Sequence, residues 1–401
     1  MDSLILLGKV IVALLIPATM VPVLIYAERK IVAWIQIRIG PNRVGPAGLM
    51  QPIADALKLL LKEDLTPLSA DKVVFAIAPI VMLIPALITF VVIPYAPPLQ
   101  GHKPHLDTLA GADLNIGILY YLAVTSMGIY GVFLAGWSSN NKYSLMGGLR
   151  SSAQMLSYET SMGLSILPVL MITGSLRMSD IINTQADCWF CVPLFLAFIT
   201  YFITGVAETN RSPFDLPEAE SELVAGYHTE YSSFRFAMFF MGEYANMVTV
   251  SAITTTLFLG GWGPFIGGLG PFSWILSLFW FLIKMFFFLF IFFWLRATLP
   301  RFRYDQLMYF GWKVLLPLTL TNVMVTAVIL LFFPPATQPG PLGLISKLSF
   351  DQPFVWIMLV SQLVLIVIAL ALTSARLPGA RRGVRLVDPS RETTLVAAPR
   401  G

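Results

Sequence analysis

Four carboxylates stand inside or at the ends of apolar runs, where an ionisable side chain is costly enough to suggest a function. Glu28 ends the first run, Glu159 and Glu243 lie about two turns inside the fourth and sixth, and Glu208 ends the fifth. A buried carboxyl reached by water can take up and release protons, so a proton relay is the chemistry such a group offers. The other reading is a set of structural ion pairs with Arg29, Arg211, Arg235 or Arg296. Lys284 precedes Arg296 by twelve residues on one apolar run, about 18 Å deeper at a 1.5 Å rise, and so needs a buried partner. A carboxylate from this group is expected to supply it, either as a pair that switches during turnover or as a static salt bridge.

The segment 207–236, AETNRSPFDLPEAESELVAGYHTEYSSFRF, gathers Glu208, Asp215, Glu218, Glu220, Glu222 and Glu230 against Arg211, Arg235 and His228. Repulsion among so many acids has to be relieved by arginines, by proton uptake or by another protein, unless the segment is an ordinary solvated loop. Interleaved Phe214, Leu216, Leu223, Val224 and Tyr227 argue for a folded, partly buried loop at about 208–235. Between the first two runs, GPNRVGP enforces turns, with Arg38 and Arg43 at headgroup depth. Leu49, Met50, Ile53, Leu57, Leu60 and Leu61 then recur at helical spacing opposite Asp55, Lys58, Lys62 and Glu63, which predicts an amphipathic helix over about 47–63 lying in the membrane interface. That helix is a surface anchor or one wall of a slot admitting a lipid-soluble ligand. Cys188 and Cys191 form a lone CWFC, which is neither half of a thioredoxin-like unit nor a full zinc site. His102 and His105 share one connection, so no span offers the opposed histidines of a transmembrane haem.

The elements that must position these residues follow from composition. At 401 residues, 57% hydrophobic and 12% charged, with mean hydropathy +0.77, the chain is no water-soluble fold. Apolar runs of the ~20 residues needed to cross a bilayer occur at 4–27, 73–95, 114–137, 153–174, 191–208, 236–260, 274–298, 313–333 and 354–374. The expected fold is all-α: a polytopic membrane domain over 1–375 with about nine transmembrane helices, an interfacial helix, a folded acidic loop and a basic tail over 376–401. Pro79, Pro85 and Pro168 fall inside runs and predict kinks. Twenty of the 26 Lys and Arg residues lie in the connections 28–72, 138–152, 209–235, 299–313 and the tail, which predicts an outside N-terminus and a cytoplasmic C-terminus. The net charge of +4 is spread between spans and makes no nucleic-acid stripe. Two cysteines and three histidines leave redox chemistry to cofactors held elsewhere.

Several long strings closely resemble one family: AERK at 27–30, RIGPNRVGP with GLMQPIADALKLLLKED, GWSSNNKYSLMGGLRSSAQMLSYE at 136–159, ETNRSPFDLPEAESELVAGYHTEY, GEYANM at 242–247 and RATLPRFRYDQLM at 296–308. The resemblance is to the H-type membrane component of bacterial NADH:quinone oxidoreductase, respiratory complex I, and runs from the first span to the eighth. It implies a membrane subunit at the junction of the hydrophilic and membrane arms, binding ubiquinone or menaquinone as substrate and carrying no prosthetic group. FMN and iron-sulfur clusters are expected in partner subunits. The implied partners are the hydrophilic quinone-reducing and iron-sulfur subunits, small membrane subunits, antiporter-like subunits and lipid, in a bacterial plasma membrane. By motif identity, Glu28, Arg29, Arg38, Arg43 and Asp55 would stand at the quinone entrance. Glu159, Glu208 and Glu243 would begin a buried acidic path. Asp215, Glu218, Glu220, Glu222 and Glu230, with Arg211 and Phe214, would line the chamber and couple it to that path, and Arg296, Arg301 and Arg303 match a basic run beside it. The alternatives are the related membrane subunit of a membrane-bound hydrogenase and an independent proton-coupled transporter.

Overall fold

Inside a bilayer every backbone group must be satisfied within the chain, and the apolar runs accordingly form helices. The computed structural model describes residues 2–97, 112–215, 225–263, 273–333 and 353–376. Among them every regular element is helical: α1 (Asp2–Ile35), α2 (Gln51–Leu61), α3 (Lys72–Ile88), α4 (Gly117–Ser138), α5 (Lys142–Thr173), α6 (Met178–Thr184), α7 (Phe195–Glu208), α8 (Ser233–Phe258), α9 (Ser273–Thr298), α10 (Tyr304–Phe310), α11 (Leu316–Phe332) and α12 (Pro353–Arg376). Glu218, Glu220, Glu222, Leu216, Leu223, Val224, His102, His105 and the tail beyond Arg376 lie outside the described residues.

Among the described residues eight helices are long and apolar enough to cross a membrane, with α10 and α11 joined through a π-helical turn at Gly311–Leu315 into one of them. The expected fifth span is different. The sequence predicts a run from residue 191, but α7 starts at Phe195 and has 14 residues, about 21 Å, which is short of a full crossing. Pro193 and the bond from the Cys191 amide to the Phe258 carbonyl (2.9 Å) fold the preceding residues into turns against the end of α8. The fourth span is longer than expected, because Asn141 caps α5 by accepting from the Tyr143 amide (3.0 Å) well before the apolar run begins. At 32 residues α5 is about 48 Å long, and it ends at Gly174 in the left-handed conformation, φ 65°. Pro79, Pro85 and Pro168 sit within continuous helices.

α5 is the axis of the bundle, packed on α4, α7 and α11, while α3 packs on α4 and α8, and α8 on α9. Small residues on α5 permit this: Gly147, Gly148, Ser151, Ser161 and Ser165 are buried. On α8, Thr249, Ser251, Thr254, Thr255 and Thr256 are all buried and turn their hydroxyls back to the carbonyl one turn earlier at 2.6–3.0 Å, so a polar helix satisfies itself within the bundle. The short helix α2 lies where the interfacial helix was expected, with Met50, Ile53, Leu57, Leu60 and Leu61 exposed. Its ends are tied down by Tyr26 donating to the Ala47 carbonyl (2.9 Å) and Ser233 donating to the Leu59 and Lys62 carbonyls (2.9 Å each).

A Cβ at Gly147 would stand 2.6 Å from the Gly226 Cα and 2.9 Å from the Tyr227 amide nitrogen, both backbone atoms that cannot yield. Gly147→Ala should therefore destabilise the protein by about 1–3 kcal/mol. Gly163→Ala on the same helix meets nothing within 4 Å and should be neutral or stabilising by about 0.5–1 kcal/mol. Thermal midpoints in detergent check the pair, and equal midpoints would refute the close packing of α5 on the 225–228 turn.

Candidate functional site

The most concentrated chemistry lies where α1, α8, α9 and the segment after α7 meet. Glu28, near the end of α1, is 6% exposed. One of its carboxylate oxygens pairs with Arg296 of α9, and the other accepts from the Tyr244 hydroxyl of α8 at 2.7 Å. Arg211, 5% exposed, reaches toward two acids at once, 3.9 Å from Glu28 and 3.8 Å from Glu243, and its guanidinium lies 4.2 Å over the Tyr244 ring. Glu243 accepts in turn from the Tyr227 hydroxyl at 3.0 Å. Of the carboxylates that the sequence singles out inside or at the ends of spans, Glu28 and Glu243 join here, bridged by one arginine.

Arg211 owes its place to a tightly held segment. Gln154 of α5, fully buried, donates to the carbonyls of Ala207 (2.9 Å) and Phe214 (2.8 Å), spanning the segment from below. Asn210 takes a positive φ of 50°, an option open to Asn at modest cost, and turns the chain back after α7. Phe214 packs between the rings of Tyr158 and Phe302, each at 5.6 Å. Asp215, 5% exposed, pairs with Arg301 at 3.0 Å. Residues 211–215 are thus buried.

Beside Glu28 an open cleft of about 330 Å³ is lined by Glu28, Arg29, Val32, Gln36, Arg38, Arg296 and Ala297. Arg29 pairs with Asp55 of α2, which also accepts from Gln51 (3.1 Å), so α2 is clamped to the rim of the cleft. Arg38 is exposed and donates to Gln36 (2.7 Å), Arg43 is exposed on the turn before α2, and Arg303 is exposed before α10. Val32 and Ala297 are the apolar members of this lining, set among Glu28, Gln36 and three arginines.

A second group lies on α4, α5 and α7. Glu208, 7% exposed, has an oxygen, Oε2, with no hydrogen-bond partner among the described residues, and it stands within electrostatic reach of Glu159. Glu159 is half-buried and lies near Ser126 of α4, whose hydroxyl donates to the Leu122 (3.1 Å) and Ala123 (3.0 Å) carbonyls. Glu230 is apart from both groups and accepts from Asn141 at 2.6 Å, beside the start of α5.

Lys284 requires a correction. It is 2% exposed, and its ammonium donates to the carbonyls of Leu259 (2.7 Å), Gly261 (3.1 Å) and Gly263 (2.6 Å) while lying 4.6 Å over the Trp189 ring. The expected bond to the carboxylate group is replaced by a cap on the carbonyl end of α8, where the helix dipole favours a cation. The acids it was expected to meet lie toward the other ends of these helices, where Glu28 takes Arg296 instead. The cysteines are free thiols, and burial pushes the Cys188 thiol up to about 12. His228 sits among the rings of Tyr227, Phe236, Phe239 and Phe240.

Sequence reasoning passed over the neutral partners: Tyr244, Gln154, Tyr158 and the hydroxyl of Tyr227. Tyr244 sits next to Glu243 within GEYANM, and that adjacency was the available signal.

The profile of the family described as NADH dehydrogenase matches residues 8–327. The chain is 54% identical over 334 residues to the first of two NADH-quinone oxidoreductase H subunits of Geobacter sulfurreducens, covering 80% of this chain and 94% of that protein. It is 52% identical over 332 residues to the NADH-quinone oxidoreductase H subunit of Rickettsia bellii (82% and 95%) and 50% identical over 332 residues to that of Rhodospirillum centenum (81% and 95%).

Removing the shared cation leaves Glu28 to Arg296 and Tyr244 and takes from Glu243 its ion pair with Arg211. Arg211→Met should cost about 3–5 kcal/mol, and Arg211→Met with Glu243→Gln should recover part of it. Thermal midpoints of the four-member cycle check this, and strict additivity would deny the pair. A thiol with its pKa near 12 remains protonated at pH 8, so Cys188 should resist alkylation there in the folded protein and react once unfolded. Rapid labelling of folded Cys188, read by peptide mass, would contradict its burial.

Proposed function

Because this chain belongs to the NADH dehydrogenase family, as an H subunit of the NADH-quinone oxidoreductase complex, we propose that it forms the quinone entrance and chamber of that complex and couples quinone reduction to proton translocation. Quinone is the substrate, and this chain binds no prosthetic group. Electrons arrive from FMN and iron-sulfur clusters of partner subunits, and the chain works beside hydrophilic quinone-reducing subunits, small membrane subunits and antiporter-like subunits. It is a multi-pass protein of a bacterial plasma membrane, with the N-terminus outside and the basic connections in the cytoplasm.

The observation that carries the reading is the Arg211 bridge. Glu28 faces the cleft, and Glu243 does not line it, yet both lie within 4 Å of one guanidinium. Unit charges 4 Å apart interact by about 4 kcal/mol at an effective dielectric of 20, so a charge change at the cleft alters how Arg211 is shared between its two acids. A mixed, cation-rich cleft beside the exposed apolar side chains of α2 suits a lipid-soluble headgroup arriving sideways, and Arg29, Arg38 and Arg296 offer donors to its carbonyl oxygens. Reduction of quinone to quinol consumes two protons. Buried acids nearby answer that demand by changing occupancy or position, and Glu159, Glu208 and Glu243 carry the response inward. Asp215 and Glu230, with Glu218, Glu220 and Glu222 of the same loop, tie loop position to chamber state, while Arg301, Arg303, Arg43, Asp55 and Phe214 shape the chamber and its mouth. Lys284 serves the coupling only by holding the far end of α8 in place.

Glu243→Gln keeps the shape and removes the charge. In the assembled complex it should lower the quinone-linked NADH oxidation rate at least threefold, with electron flow from NADH to a water-soluble acceptor retained as the measure of assembly. Full quinone turnover with full proton pumping would defeat the proposed role.

A further inference from the structure

Away from the acids, at the middle of the last two spans, we propose a buried water-binding site between α11 and α12, built from Asn322 and Gln362, that locks the final helix onto the bundle. Asn322 falls near the middle of the apolar run 313–333 and Gln362 near the middle of 354–374, so both amides lie at hydrocarbon depth. Each is 0% exposed. The Gln362 side-chain nitrogen donates to the Asn322 side-chain oxygen, and this bond joins the two helices.

That bond leaves the pair half satisfied. Asn322 Nδ2, which has hydrogens to give, and Gln362 Oε1, which has lone pairs to offer, lack any hydrogen-bond partner among the described residues. Exchanging nitrogen and oxygen in both amides leaves the same remainder, one donor group and one acceptor oxygen. Hydrocarbon answers neither, and a polar group held there unbonded costs free energy. The occupant that relieves both must be small, accept from a nitrogen and donate to an oxygen. Water does both. A metal cation would bind only the oxygen, and a halide only the nitrogen.

The surrounding faces suit that occupant. On α11 the buried face reads Thr319, Asn322, Thr326 and Ile329, with the threonines about one turn to either side of the amide. Thr319 gives its hydrogen to the Leu315 and Leu316 carbonyls (3.0 Å each) and Thr326 to the Asn322 carbonyl (2.8 Å), so both hydroxyl oxygens can still accept. A water bonded to both amides and to one such oxygen has the roughly three bonds usual for a buried water. On α12 the face turned inward carries Phe354, Val355, Met358 and Gln362, while Val360, Leu363, Val364 and Val367 are exposed. Lipid gives an apolar helix little reason to prefer one apolar face over another. The bonded amide and its water make the choice for α12.

The test is a density map of the intact complex in lipid, at a resolution that shows ordered water. A peak within hydrogen-bond distance of Asn322 Nδ2 and Gln362 Oε1 is expected. Two amides bonded to each other twice with no peak between them, or amides answered by a lipid or a neighbouring subunit, overturn the site. Gln362→Met keeps the length of the side chain and should lose the peak; a peak that persists there overturns its assignment to this pair. A lipid-soluble carbene probe reads the lock: it should label Val360 and Val364 and spare Met358, and labelling of Met358 should rise at least about threefold in Gln362→Met. Unchanged labelling overturns the locking role. Should Gln362→Met fail to assemble, Asn322→Leu decides by the same two readouts.

Discussion

The fold around the site depends on the requirement that a charge taken out of water be answered where it lies. Arg211 meets that requirement for two acids at once. A cation shared at 3.8 and 3.9 Å is not committed to either partner, and each acid holds a second, shorter contact: Glu28 with Arg296 and Tyr244, Glu243 with Tyr227. Removing any one member therefore shifts the others. The group ties α1, α8, α9 and the segment between α7 and α8 into one unit, although those elements are far apart in sequence. It also explains why residues 211–215 are buried despite their charge, since the Gln154 clamp and the Arg301–Asp215 pair answer the remaining polar groups there.

Two buried charges on these helices are treated in opposite ways. Lys284 is saturated: three carbonyls and an aromatic face hold an ammonium that has three hydrogens to give. A group so fully bonded has little to gain by moving, and its geometry suits a fixed cap on α8. Glu208 is the reverse, buried with an oxygen lacking a hydrogen-bond partner among the described residues and with a second acid in reach. Incomplete satisfaction of a buried polar group is expensive in a low dielectric, which sets Glu208 apart from the saturated ammonium.

Much of this was legible in the sequence because hydrocarbon enforces a coarse code. Apolar runs marked out the helices, and acids inside them stood out by type. Helix ends were less legible: Asn141 starts α5 well before its apolar run, and the contact of Cys191 with Phe258 shortens α7, neither of which hydropathy can register. Partners were least legible. Lys284 was expected to seek a carboxylate, but the nearest strong acceptors are backbone carbonyls freed where α8 ends in Gly260 and Gly261, at φ 69° and 50°. Those carbonyls belong to no residue type and leave no trace in composition. Tyrosine is similarly hidden, because its ring counts as apolar while its hydroxyl does the bonding.

The packing of α5 shows why the site tolerates unsettled charges. Its buried glycines and serines bring backbones together at Gly136 and Gly148 and at Gly147 and Gly226, contacts with no side chain left to rearrange. Rigid backbone contact on one face of an element lets the opposite face carry groups that shift, because the helix itself does not follow them. Gln154 and Tyr158 lie one turn apart on that same helix and touch the segment that holds Arg211 and the Leu307 carbonyl, with Glu159 next to Tyr158 in sequence. The 211–215 segment is therefore anchored through Gln154 on a helix held by backbone contacts, with Glu159 less than two turns further along.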